Sequence, residues 1–227
     1  MTASNGVYTA DRGGFDWSDS VIALRPDGST DGGVPLDSYT PIGHEAMDSQ
    51  DLDLGSTTIA ILPLPEASGL RLGVQSGKDS IARLLNLRDL SGSGAPRHIG
   101  GEIQAVAVPQ GGEVQTRPAT WTAPDGTIWV FIATDSGTTG FTLDLTGPSP
   151  SLAARWTIGG RATSPVIANA VLYLVNDHAV AAIDPPSGQL LWQDNEIGTI
   201  HWQSPIVIDN ALYVEDNDGY LQAYVPK

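Results

Sequence analysis

The sequence contains no cysteine. Disulfides, thiolate metal sites, a cysteine nucleophile and covalent haem attachment through cysteine are therefore excluded. Basic residues are scarce, 11 Lys and Arg against 26 Asp and Glu, which gives a formal net charge of -15. Affinity for a phosphate backbone comes mainly from Lys and Arg, so nucleic acid and anionic membrane surfaces are poor partners. No run approaches the roughly 20 apolar residues of a membrane span, and Met1 to Asp11 lack a basic and then apolar signal segment. Either the protein is cytosolic or a targeting segment is missing from this sequence.

Catalytic and metal-binding patterns are equally sparse. The four histidines, His44, His98, His178 and His201, lie far apart and form no His-x-His or His-Glu-x-x-His pair. His44 has a carboxylate neighbour, Glu45, and on a strand the two point to opposite faces. There is no Gly-x-Ser-x-Gly elbow, and Ser91–Gly94 and Gly100-Gly101 read as loops, without the strand-to-helix context of a phosphate cradle. The run Glu215-Asp216-Asn217-Asp218-Gly219 invites a calcium reading. Its register fails, because placing Gly219 at loop position six puts Val214 at position one and no Glu at twelve, so a hairpin turn is expected. No catalytic residue and no metal ligand is assigned.

What the chain does have is 26 Gly and 16 Pro among 41% hydrophobic residues, the composition of many short strands joined by tight turns. The 227 residues suffice for one all-β domain. A repeat is visible: Ser164-Pro165-Val166-Ile167 followed by Leu172-Tyr173-Leu174-Val175 recurs 40 residues later as Ser204-Pro205-Ile206-Val207 followed by Leu212-Tyr213-Val214. A period near 40 residues marks propeller blades. Blade units are expected at residues 5–45, 51–110, 114–159, 162–198 and 202–227, each a meander of up to four antiparallel strands. The first unit, with expected strands Gly6–Thr9, Ser20–Leu24 and Leu36–Tyr39, has no innermost strand before it, and the last stops without an outer strand. The expectation is the C-terminal part of a longer propeller, or a small ring closed in an unusual way.

The segment Ala182-Ile183-Asp184-Pro185-Pro186-Ser187-Gly188-Gln189-Leu190-Leu191-Trp192 resembles the tryptophan-docking repeat of pyrroloquinoline-quinone (PQQ)-like β-propellers, with Ser187 where Thr is usual. Gly188 permits positive φ in the turn, and Trp192 offers a large face to the neighbouring blade. Asn5–Tyr8, Asp16–Leu24, Asp51–Ser56 and Gly77-Lys78-Asp79 are similar to bacterial members of that family. The resemblance implies a periplasmic or extracellular protein of a functionally mixed family. Some members are quinoprotein alcohol dehydrogenases and others hold no cofactor.

The quinoprotein enzymes clamp PQQ against a Trp, in many cases with a disulfide of adjacent cysteines, and need Ca²⁺ and an Asp base. This chain offers no cysteine for that role, so no cofactor is expected, and PQQ with Ca²⁺ stands as the alternative. The leading expectation is a non-catalytic scaffold for a protein partner or a small polar ligand; the rivals are a quinoprotein-type dehydrogenase fragment and a carbohydrate-binding module. The residues singled out for ligand contact are Trp17, His201 and Trp202, while Ala182, Asp184, Gly188 and Trp192 are singled out for docking between blades.

Overall fold

The structure, a computed structural model, describes residues 1–225. It is built from five antiparallel sheets, each a simple meander. The first pairs β1 (Val21–Ala23) with β2 (Asp37–Tyr39). The second runs β3 (Ala60–Ile61), β4 (Leu72–Gln75), β5 (Ile81–Asn86) and β6 (Gln104–Ala107). The third runs β7 (Ala119–Thr122), β8 (Ile128–Ala133), β9 (Gly137–Asp144) and β10 (Ser151–Gly159). The fourth runs β11 (Val166–Ala168), β12 (Val171–Asn176), β13 (Ala179–Ile183) and β14 (Leu190–Asp194). The fifth has three strands, β15 (Ile206–Ile208), β16 (Ala211–Glu215) and β17 (Leu221–Tyr224). These are blades of a β-propeller, with the first and last incomplete among the described residues.

The sheets fall into two compact units, Met1–Ala107 with Asp144–Leu152, and Val108–Leu143 with Ala153–Lys227. In the first, Val21, Tyr39, Met47, Leu54, Leu85 and Leu90 form one buried cluster. In the second, the fourth sheet has two apolar faces. Leu172, Leu174 and Ile183 pack with Trp129, Phe131 and Ala133 of β8, while Val175 and Val180 pack with Leu212 and Val214 of β16. Successive strand residues point to opposite faces, which is why Val171–Val175 reads as an unbroken apolar run rather than an alternation. A fully buried Phe131 is worth about 2 to 3 kcal/mol relative to an exposed one.

The turns repeat with the strands. Asn169 and Ala170 adopt φ of 51° and 59° between β11 and β12, and Asp209 and Asn210 adopt 48° and 62° at the matching place between β15 and β16. Positive φ at both central residues is what a two-residue hairpin needs to follow the strand twist. Glu215–Gly219 likewise contains the hairpin turn between β16 and β17: Asp216 N–H donates to Tyr220 O at 3.1 Å, and Gly219 has φ 83°.

Two expectations are corrected near the N-terminus. Gly6–Thr9 is not a strand, because Ala10–Arg12 curl into a helical turn closed by Gly13 at φ 88°, which leaves Tyr8 a lone bridge to Trp17. His44 and Glu45 lie not on a strand but in the first turn of α1 (His44–Ser49), and the His44 ring meets Tyr8 edge-on at 4.9 Å.

Candidate functional site

In the second unit, the inner strand of each sheet follows a linker that ends in proline: Pro118 before β7, Pro165 before β11 and Pro205 before β15. A proline at this place removes no ladder hydrogen bond. Because the linkers repeat with the sheets, they converge. Gln115 and Thr116 from the first, Arg161 and Thr163 from the second, and His201 and Trp202 from the third line one small pocket with Thr134 and Asp135 of the β8–β9 turn. Its enclosed volume is about 10 Å³, room for about one water molecule. A larger ligand would therefore rest on the exposed groups around it.

Trp202 dominates that surface, 53% exposed yet held on several sides. The Arg161 guanidinium lies 5.1 Å from its ring centroid, a cation–π contact, and Arg161 Nη2 donates to His201 O at 3.1 Å. Arg161 also faces the Asp177 carboxylate at 3.6 Å. The His201 ring packs on Trp202 at 4.4 Å. Gln203 Oε1 accepts the backbone N–H groups of both His201 and Trp202 at 3.0 Å, and Gln203 Nε2 donates to Asn217 Oδ1 at 2.7 Å. The buried hydroxyl of Thr163 has no partner among the described residues.

Chemically this is a stacking and hydrogen-bonding surface of mixed charge, with Glu113, Asp135 and Arg161 all among its lining residues. The Thr134 hydroxyl accepts the Ser136 and Gly137 N–H groups at 3.0 and 3.1 Å and so is held as a turn cap. Among the described residues no three His, Asp or Glu side chains converge to hold a metal. A tricyclic quinone needs a free aromatic face and a cluster of oxygens for Ca²⁺. Here Arg161 lies over one face of Trp202, and the space between the linkers admits about one water.

Trp17 belongs to the first unit. Arg97 stacks on it at 5.4 Å and on Phe15 at 5.5 Å, while Arg97 Nη1 donates to Ala10 O and Gly14 O at 2.9 and 2.7 Å. The docking residues sit around the β13–β14 turn. Asp184 Oδ2 accepts the Ser187 N–H at 3.0 Å, Gly188 has φ 70°, and Ala182 pairs with Trp192 across the strands. Trp192 meets Tyr224 edge-on at 5.1 Å. Neither arginine was singled out by the sequence. For Arg161 a signal exists: it stands three residues before Ser164, as His201 stands three before Ser204. Arg97 lies in a loop with no repeat partner to mark it.

No family model and no curated protein matches this sequence. Solved structures do. A europium-containing methanol dehydrogenase is similar over 92% of this chain and 44% of its own, with 17% identity and a TM-score of 0.54. BamB from Moraxella catarrhalis covers 91% of this chain and 66% of its own, at 13% identity and a TM-score of 0.40. The Cps50 (Swd1) β-propeller domain of Myceliophteria thermophila covers 87% and 56%, at 12% identity and a TM-score of 0.46. The chain thus spans less than two thirds of each. At such identities the likeness concerns the fold alone, and with its consecutive antiparallel meanders the chain is a protein of the β-propeller type.

Proposed function

We propose that this chain is a PQQ-like repeat propeller that works without cofactor as a binding scaffold, engaging a protein partner or a small polar ligand through the loops around Trp202. The observation that carries the reading is the exposed but immobilised indole. An aromatic already fixed by Arg161, His201 and the Gln203 network loses little freedom on binding, which is what makes such residues effective anchors. Placement outside the cytoplasm is part of the proposal and rests on the resemblance to bacterial propellers; no helix among the described residues is long and apolar enough to cross a membrane.

Two measurements test it. Affinity capture with the wild type and with Trp202→Ala should recover a partner that the variant loses; equal recovery by both would move the binding surface elsewhere. Unfolding with PQQ and Ca²⁺ tests the cofactor-free part. Ligand at about 100 times its dissociation constant adds about 2.7 kcal/mol, a rise of roughly 5 to 10 °C for a chain of this size. We expect no rise, and a rise of that size would restore the dehydrogenase reading. The half-exposed ring also suits a sugar face, and quenching of tryptophan fluorescence by oligosaccharides in the wild type but not in Trp202→Ala would make carbohydrate the ligand.

A further inference from the structure

The small pocket beside Trp202 is lined by acceptors that the fold does not use up. Thr163 lines it and is 3% exposed, and its hydroxyl has no partner among the described residues. Two carboxylates line it as well. Asp135 Oδ1 accepts the Glu113 N–H and the Ser136 hydroxyl at 3.1 and 3.0 Å, and the Glu113 carboxylate accepts from Gln115 Nε2. Neither carboxylate forms an ion pair among the described residues. Arg161, the arginine of the lining, is already engaged, by Asp177 at 3.6 Å, by His201 O at 3.1 Å and by the Trp202 ring.

Charge and size together select what can enter. A neutral hydroxyl would leave both carboxylates without a counter-charge, whereas a cation answers them. Space for about one water admits a primary ammonium, a compact charge carrying three donors. The planar guanidinium and a trimethylated amine are larger. Three acceptors stand ready for the three donors, Thr163 Oγ1 and the carboxylates of Glu113 and Asp135. At the mouth, Trp202 is 53% exposed and offers an apolar wall for a methylene stem. The net charge of -15 favours approach by a cationic partner in the same sense.

We propose that this pocket takes the side chain of a lysine on a partner protein. The ammonium enters between the three linkers, donates to Thr163 Oγ1 and to the Glu113 and Asp135 carboxylates, and the methylene stem lies along Trp202. A lysine is favoured over the amino terminus of a partner chain, which has no such stem to cover the exposed indole. The inference rests on the Trp202 loops being the binding face, and it names the chemistry that face recognises.

The test is a nuclear magnetic resonance titration of the isotope-labelled chain with Nα-acetyl-lysine amide, followed at the Trp202 indole N–H. A saturable shift is expected. Asp135→Asn and Glu113→Gln should each weaken binding about tenfold, the loss of one charge-assisted hydrogen bond. Both variants retain an oxygen that can accept the existing bonds from Glu113 N–H and Gln115, so the linkers stay in place. Thr163→Val, which keeps the side-chain shape, should weaken binding as well. The Nε-acetyl and Nε-trimethyl forms of the probe, and its arginine analogue, should not bind. No saturable shift, equal binding by any of those three analogues, or indifference to both carboxylate changes would overturn the lysine assignment. Each of these would leave the Trp202 surface itself standing, because that is decided by capture with the wild type and Trp202→Ala.

Discussion

Trp156 and Trp192 occupy outer strands of neighbouring sheets, and their surroundings differ. The first lies between Phe131 and the Pro185–Gly188 turn, so close that a side-chain carbon added at Gly140 or Gly188 would overlap the indole. The second has one aromatic contact, with Tyr224. The lesson is that an outer-strand tryptophan is satisfied by the turn and strand of the sheet that follows. Local sequence alone does not decide its burial.

The contrast can be broken most directly by truncation. Trp156→Ala should cost about 3 kcal/mol and Trp192→Ala about 1 kcal/mol in urea unfolding, because only the first leaves a cavity and an unpaired carbonyl. Equal losses would mean that the two contacts are equivalent after all. A subtler probe is Gly140→Ala. That position has ordinary extended backbone, so its penalty of about 1 to 3 kcal/mol would come from displacing the Trp156 ring, and it should shrink in the Trp156→Ala background.

The smallest expected effect is at Tyr224, whose hydroxyl donates to Asp194 Oδ2 at 2.8 Å. Burial first, and then the Asp194 carboxylate, hold this phenol above its ordinary value of 10.0. The folded state therefore keeps the proton more tightly than the unfolded chain. Stability is full below about pH 10 and falls as pH rises further, toward the raised value. Tyr224→Phe should lose about 1 kcal/mol at neutral pH and flatten that alkaline decline, which pH-dependent denaturation would measure.

Much of the strand pattern was legible because the units repeat and the strands are short apolar runs between residues suited to turns. Thr127–Ile132 and Leu172–Val175 stand out in this way, where the structure has Ile128–Ala133 and Val171–Asn176, and the pairing of Ala182 with Tyr173 recurs as Ala223 with Tyr213. The N-terminal stretch was less legible. Gly6–Thr9 has strand-like residues, but tertiary contacts leave it as a single bridge, and α1 is too short to show a helical period. At the candidate site, the place of His201 and Trp202 before an inner strand was legible. The stacking of Arg161 on Trp202 was not, because it joins residues from different linkers.

The sequence by itself determined the all-β class, the period of the blades, the turns and the absence of thiol chemistry, because each follows from composition or from spacing along the chain. Only the tertiary structure decided that Arg161 holds Trp202, that Arg97 covers Trp17, and that Trp156 is enclosed while Trp192 borders an open groove. Those outcomes depend on which loops and sheets meet across the fold, and a repeat that looks alike along the chain meets different neighbours in space.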